Sequence, residues 1–337
     1  MRSDAPRILS LTPESVLGPV YDRARSGLAP HRLLTAERSP NVLDGPLRDA
    51  DYVIGDWMHE LRLDAKLLDV AERCRAVFQP TAGIESIDVR HAAALGIPVA
   101  NAPGANARAV AEWTVMAILA LLKDVWRHHQ GMLAGRWEMV EAARTGVYEL
   151  GDRTVGIVGL GRIGQEVARR LAPFELRRLV YADPVPASAE VERRLGMERV
   201  ELDELCAVSD AVSLHLPLTE SSRGLFGARR LALLAPHAVI VNVARGAVLD
   251  EHALADALDA GRLRGAALDV FTQEPPPVDH RLWGRPNVLL SPHLAGSTSE
   301  ARERMIGAAL ENLDRVLRGS SPVNVVNGVD GVPRGAP

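Results

Sequence analysis

Arg245, Glu274 and His293 are a cation, a carboxylate and an imidazole, each a few residues beyond an apolar run. An imidazole is the side chain best suited to take and give a proton near neutral pH. A carboxylate facing it orients the ring and raises its pKa above ~6.5. A guanidinium can grip a carboxylate and polarise a carbonyl oxygen. Together they have the makings of an acid–base couple with an electrophilic clamp at a carbonyl or alcohol carbon. The runs before them, Ala238–Asn242, Gly265–Val270 and Val288–Leu290, read as strands. In an open α/β sheet, ligands bind just beyond such strand ends. Each residue alone has a plainer reading: a turn arginine, a solvated acid before Pro275-Pro276-Pro277, a hydrogen-bonded loop histidine. In order, after three strand ends, they favour the chemical one.

A second constellation lies earlier. Gly159-Leu160-Gly161-Arg162-Ile163-Gly164 follows the strand-like Thr154-Val155-Gly156-Ile157-Val158 and opens a helix-like stretch, Ile163 to Leu171. Glycines at these spacings allow a tight turn, close approach of a pyrophosphate, and close packing of helix on strand. The helix N-terminus then offers free N–H groups to the phosphates. The next strand, Leu179–Ala182, ends at Asp183, 19 residues after Gly164, near the ~20 expected for an acid that binds ribose hydroxyls. No Arg or Lys follows Asp183 directly. A 2′-phosphate would be repelled, so NAD is expected rather than NADP.

These residues need a sheet to hold them. With Ala211–His215, the strands named above make six in the second half, separated by helical crossovers such as Glu251–Ala260, which has Asp250 as N-cap and Gly261 just past its end. That pattern predicts a doubly wound dinucleotide domain. The first hundred residues alternate in the same way: Arg7–Leu11, Tyr52–Ile54, Ala76–Phe78 and Pro98–Ala100 read as buried strands, with Leu63 to Cys74 helical. They predict a first parallel α/β domain. A loop, 101–106, leads into an apolar helix from about Ala107 to Leu122, then a helix and irregular arm to 150. A last helix runs from about Ser299 to Arg318, and the Gly-, Pro-, Ser- and Asn-rich stretch from Gly319 is expected to be extended or disordered.

Composition sets bounds. A chain of 337 residues suits about two domains, and its 47% hydrophobic content suffices for buried cores. Basic and acidic residues are interspersed, 39 against 43, so no basic patch suggests nucleic acid. Met1 to Val20 has no sustained apolar core of a signal peptide, and the longest apolar run, Trp113 to Leu122, is too short to span a bilayer. Cys74 and Cys206 lack metal-like spacing, and His128-His129 has no further ligand, so no metal is expected. A reduced, cytoplasmic protein is expected.

Five ordered motifs resemble those of the D-isomer-specific 2-hydroxyacid dehydrogenase family. They are Val155 to Gly164; Leu214-His215-Leu216-Pro217-Leu218-Thr219; Asn242-Val243-Ala244-Arg245-Gly246; Ala267-Leu268-Asp269-Val270-Phe271 with Glu274-Pro275; and Ser291-Pro292-His293. The resemblance covers about residues 50 to 325. It implies an α/β fold of two doubly wound parallel-sheet domains, a Rossmann NAD domain (103–294) inserted into a flavodoxin-like substrate domain (1–102 and 295–337). The substrate is then expected in the cleft between them.

The resemblance also implies roles. His293 resembles the general acid/base, Glu274 its carboxylate partner, and Arg245 the residue that holds the substrate carboxylate and polarises its 2-oxo group. The NAD contacts implied are Gly159, Gly161, Arg162, Ile163, Gly164, Asp183, His215, Leu216, Pro217, Thr219, Val243, Ala244, Arg245, Asp269, His293, Ala295 and Gly296. Leu216-Pro217 resembles the adenine-side wall, and Asp269 the residue that helps position the nicotinamide end. Thr81, Ala82 and Gly83 resemble the loop whose N–H groups receive the substrate carboxylate, with Asn106 near the hinge. Glu85 stands where many relatives carry Asp, which leaves the substrate open among glyoxylate, hydroxypyruvate, 3-phosphoglycerate and phenylpyruvate-like acids. The family is typically a homodimer through the segment placed here at 105–150. Trp137 suits either a partner's site or core packing. The chain stops soon after its second domain, so feedback through the regulatory extension of longer phosphoglycerate dehydrogenases is not expected. Two other readings share these residues: NAD-dependent oxidation of another small anion such as phosphite, and an NAD-sensing, corepressor-like binding protein.

Overall fold

A computed structural model of the chain describes residues 5–37, 39 and 42–329. The chain divides into two compact units, 1–106 with 299–337, and 107–298. Boundaries expected at 102/103 and 294/295 fall instead at 106/107 and 298/299.

The first unit holds five strands: β1 (Arg7–Ser10), β2 (Arg32–Thr35), β3 (Tyr52–Ile54), β4 (Val77–Phe78) and β5 (Val99–Ala100). All pair in parallel, in the order β2-β1-β3-β4-β5. This is the flavodoxin-like order, with helices as crossovers. β2 was absent from the sequence reading because it is a short edge strand whose side chains remain partly or fully exposed, giving no apolar run. The helix expected over Leu63 to Cys74 is shorter, Ala65–Val70, capped by Asp64. One core layer joins Ile8, Ile54 and Phe78 of the sheet to Ile306, Leu310 and Leu313 of the helix Ser299–Leu317. The stretch after Gly319 is extended and tied down: Val325 forms an antiparallel bridge with Ala100, and Asn327 bonds to Val99 and Ile97. Residues 330–337 lie outside the described residues.

The second unit holds β6 (Thr154–Val158), β7 (Arg178–Ala182), β8 (Met197–Arg199), β9 (Ala211–Leu214), β10 (Val239–Asn242), β11 (Gly265–Leu268) and β12 (Val288–Leu290). They form one parallel sheet in the order β12-β11-β10-β9-β6-β7-β8. The order reverses between β6 and β9, which is the switch point of a Rossmann sheet. Every residue of β6, β9, β10 and β11 is buried, as strands covered on both faces must be. Six strands were expected and seven are present. The addition, β8, is an edge strand with two of its three residues exposed, so it carries no apolar signal.

The helix Ala107–Leu122 packs Ala111, Ala117, Ile118 and Leu122 into this unit's core. Beyond it, the arm forms two helices, Val125–Leu133 and Met139–Thr145. Trp137 is 77% exposed, so it is not a core residue of its own chain.

Candidate active site

His293 and Glu274 are brought together by two loops at the carboxyl ends of neighbouring strands. His293 follows β12, and its Nδ1 lies 2.7 Å from Glu274 Oε2 on the loop after β11. Glu274 is fixed in turn by the Phe271 N–H, which donates to its Oε1 at 2.9 Å. His293 adopts φ 51, an uncommon conformation for a residue with a side chain. Its N–H donates to the carbonyls of Asp269 (2.8 Å) and Ser291 (3.1 Å), which hold that geometry.

Asp269 is the hub beneath this loop and is almost fully buried. Its Oδ1 accepts from Ser291 Oγ–H (2.5 Å) and the Leu294 N–H (2.8 Å), and its Oδ2 from the Ala295 N–H (2.9 Å). Burial raises the Asp269 pKa, against the pull of these donors and of the His293 charge. The bonds it makes here hold the segment that carries His293. Ser291 belongs to the Ser291-Pro292-His293 motif, but its bond to Asp269 carries no sequence signal.

The pair is polarised as an acid–base couple requires. The hydrogen bond that His293 Nδ1 donates to Glu274 raises the His293 pKa above its ordinary value. Burial opposes this, and the Glu274 and Asp269 charges reinforce it. Glu274 is pushed up by burial, but its bond to His293 and the His293 charge bring it below the usual carboxylate value. Arg245 acts on both, lowering each pKa through its charge.

Arg245 is set by the turn after β10. Asn242, fully buried, donates from Nδ2 to the Arg245 carbonyl (3.1 Å) and accepts the Ala244 N–H at Oδ1 (3.1 Å). The next residue must be glycine. A Cβ on Gly246 would lie 1.8 Å from the backbone carbon of Phe271. The Arg245 turn and the Glu274 loop are thus pressed together.

The glycine turn fits a dinucleotide. Gly159 has φ +91, and a Cβ on Gly164 would meet the Gly159 carbonyl at 2.3 Å. Gly161 faces open space, and the helix Arg162–Leu171 begins directly after it. Asp183 follows β7; its Oδ2 accepts the Leu160 N–H (2.8 Å) and its Oδ1 the Val185 N–H (2.9 Å). His215 follows β9, donating or accepting at Nε2 with Ser213 (3.0 Å), while its buried Nδ1 has no partner among the described residues. Burial lowers the His215 pKa, so the ring is neutral. Val243, Ala244 and Ala295 are buried, which leaves backbone as what they can offer a ligand. Leu216, Pro217 and Thr219 line the segment after His215, where Ser222 Oγ ties Pro217 O (2.7 Å) to the Thr219 N–H (2.7 Å).

In the first unit, the loop after β4 carries Thr81, Ala82 and Gly83. Thr81 Oγ1 donates to the Gly83 carbonyl (2.9 Å), accepts from Gln79 Nε2 (2.8 Å) and meets His59 Nε2 at 3.0 Å. His59 Nδ1 meets Ser86 Oγ at 3.1 Å. His59, Gln79 and Ser86 therefore hold the loop, and none gave a motif signal. Asn106 has a buried Oδ1 without a partner among the described residues.

A parallel sheet with a phosphate turn at its switch point, and an imidazole–carboxylate couple at the same edge, defines an NAD-linked oxidoreductase class. The family model for the NAD binding domain of D-isomer specific 2-hydroxyacid dehydrogenases matches residues 115–295. The chain is 39% identical over 275 residues to a glyoxylate reductase of Thermofilum pendens, covering 79% of this chain and 78% of that protein. It is 37% identical over 282 residues to a D-3-phosphoglycerate dehydrogenase of Methanocaldococcus jannaschii, covering 83% of this chain but only 52%, about half, of that protein. Its structure resembles NAD-dependent formate dehydrogenase from Staphylococcus aureus in complex with NAD, with a TM-score of 0.79 at 29% identity over 92% of this chain and 95% of that one. The chain belongs to the D-isomer specific 2-hydroxyacid dehydrogenase family, and NAD is its cofactor.

Proposed function

We propose that this protein interconverts small 2-oxo acids and (R)-2-hydroxy acids. The observation that carries this reading is the 2.7 Å contact between His293 Nδ1 and Glu274, with Arg245 close enough to shift both pKa values. NAD, when bound, supplies or accepts the hydride. With Nδ1 engaged by Glu274, Nε2 of His293 is the atom that holds the proton for the substrate oxygen. Arg245 draws negative charge onto that oxygen and grips the carboxylate. Glu274 keeps the imidazolium oriented and charged. The first unit, with its Thr81–Gly83 loop, is proposed as the substrate domain.

The couple argues against formate as substrate. Loss of hydride from formate gives carbon dioxide and no proton, so a buffered imidazole would have no work there. Glyoxylate and other short 2-oxo acids suit it, and the similarity to a glyoxylate reductase supports them.

The protein is further proposed to be a cytoplasmic homodimer. The arm exposes Trp126, Met132, Leu133, Trp137, Met139 and Val140, a run of apolar side chains that a second copy would cover. Both cysteines are buried free thiols, compatible with a reducing compartment. Among the described residues no helix is long and apolar enough to cross a membrane.

NADH oxidation with glyoxylate, hydroxypyruvate and phenylpyruvate, then NAD reduction with 3-phosphoglycerate, formate and phosphite, tests the activity. Turnover of a 2-oxo acid is expected. Turnover of phosphite or formate alone, or none with NADH still bound, overturns the reading; the last outcome points to a sensing role. Light scattering tests the dimer, and a monomer refutes it.

A further inference from the structure

The loop that carries Glu274 is closed at both ends by one other carboxylate. Glu251 opens the helix Glu251–Asp259. Its Oε1 accepts the Thr272 N–H at 2.6 Å, and its Oε2 meets His280 Nε2 at 2.7 Å. Glu274 lies between these two points along the chain. The pair is mostly buried, each side chain 11% exposed. The hydrogens of the His280 ring are placed by its other contact. The N–H of Leu282, a fully buried residue, donates to Nδ1 at 3.3 Å, so it is Nε2 that donates to Glu251.

This second imidazole–carboxylate pair reaches Glu274 through the base of the loop. The His280 ring stands edge-on to Phe271, centroids 5.8 Å apart at 87°, and Trp283 packs against both rings. Phe271 is the residue whose N–H holds Glu274 Oε1. Thr272, the next residue, is the one Glu251 holds. The same two residues supply the backbone that a Cβ on Gly246 would strike. The base of the loop is thus fixed from the helix on one side and from the Arg245 turn on the other. A proton-transfer partner works only when its geometry is held to a fraction of an ångström by the groups behind it. We propose that Glu251 and His280 are positioning residues that hold the Glu274 loop so that its carboxylate meets His293. This rests on the reading of Glu274 as the partner of His293 in proton transfer.

The test is the titration of His293, followed by NMR on the histidine-labelled protein and assigned with H293A. H280L keeps volume but removes the donor. E251Q keeps an acceptor for Thr272 but loses the one for His280. In both, the His293 midpoint is expected to fall, because the bond to Glu274 is what raises it. H280Q, whose amide can donate from the place of Nε2, should restore it. Turnover of NADH with a 2-oxo acid should drop about tenfold or more in H280L and E251Q, within the ~100-fold that a 1 Å misplacement can cost. Their NADH dissociation constants should stay within about twofold. Arg281 ties the same end of the loop to the same helix through Asp256 (2.8 Å) and Asp259 (2.9 Å), on the exposed side. R281Q cuts that tether and should leave midpoint and turnover unchanged. A midpoint unmoved in H280L and E251Q, or moved as far by R281Q, overturns the positioning role. If the unaltered protein reduces no 2-oxo acid, the proposed activity falls instead, and the His293 midpoint still decides the positioning.

Discussion

The Nδ1 of His293 and the Oε2 of Glu274 stand 2.7 Å apart, which leaves Nε2 as the one ring atom available to a substrate. His293→Ala should lower turnover by about 100-fold or more, the usual contribution of a positioned acid–base group. NADH affinity, measured by fluorescence, should stay within about twofold, since the turn and Asp183 are untouched. Parallel loss of binding would show that His293 shapes the cofactor site rather than moving a proton.

The same pair sets the pH dependence. The His293 pKa is raised above 6.5, chiefly by its bond to Glu274. Reduction needs the imidazolium, so its rate should hold past that pH and fall as pH climbs through the raised value. Oxidation needs the neutral ring and should rise over the same interval. Glu274→Gln removes the charge and weakens the bond, so both profiles should move to lower pH. Profiles that stay in place would exclude Glu274 as the tuning group.

Gly246 is where two loops touch. A Cβ there would sit 1.8 Å from the Phe271 backbone carbon, which cannot give way as a flexible side chain can. Gly246→Ala should therefore destabilise the protein by about 1–3 kcal/mol or more. For a unit of this size, thermal unfolding should drop by about 2–4 °C per kcal/mol. An unchanged melting temperature would mean the loops part easily.

Asp183 accepts two backbone N–H groups and is proposed to bind the ribose as well. Asp183→Ala should weaken NADH about tenfold or more and shift the preference towards NADPH. A constant ratio of the two affinities would remove Asp183 from cofactor choice.

Arg245, Glu274 and His293, the trio proposed to carry the chemistry, stand out in the sequence because each follows an apolar strand. The strands β10, β11 and β12 announce themselves as apolar runs, and each is followed by a loop that carries one of the three. The edges were not legible. β2 and β8 are short and exposed, so periodicity is silent there. Asp269 was visible as a motif residue, but its three bonds to the 291–295 loop are tertiary facts that no spacing encodes. The Thr81 network draws on His59, which lies 22 residues away.

The core layer that joins Ile8, Ile54 and Phe78 to Ile306, Leu310 and Leu313 ties the two ends of the chain into one unit. A ribosome makes residues 1–106 first and the covering helix Ser299–Leu317 last. All of the second unit emerges in between, and that unit can close on its own core while the early strands still wait for their cover. For most of synthesis the apolar face of β1, β3 and β4 has the helix Glu14–Ala24 against it but lacks Ile306, Leu310 and Leu313, and a truncation before residue 299 would leave it so.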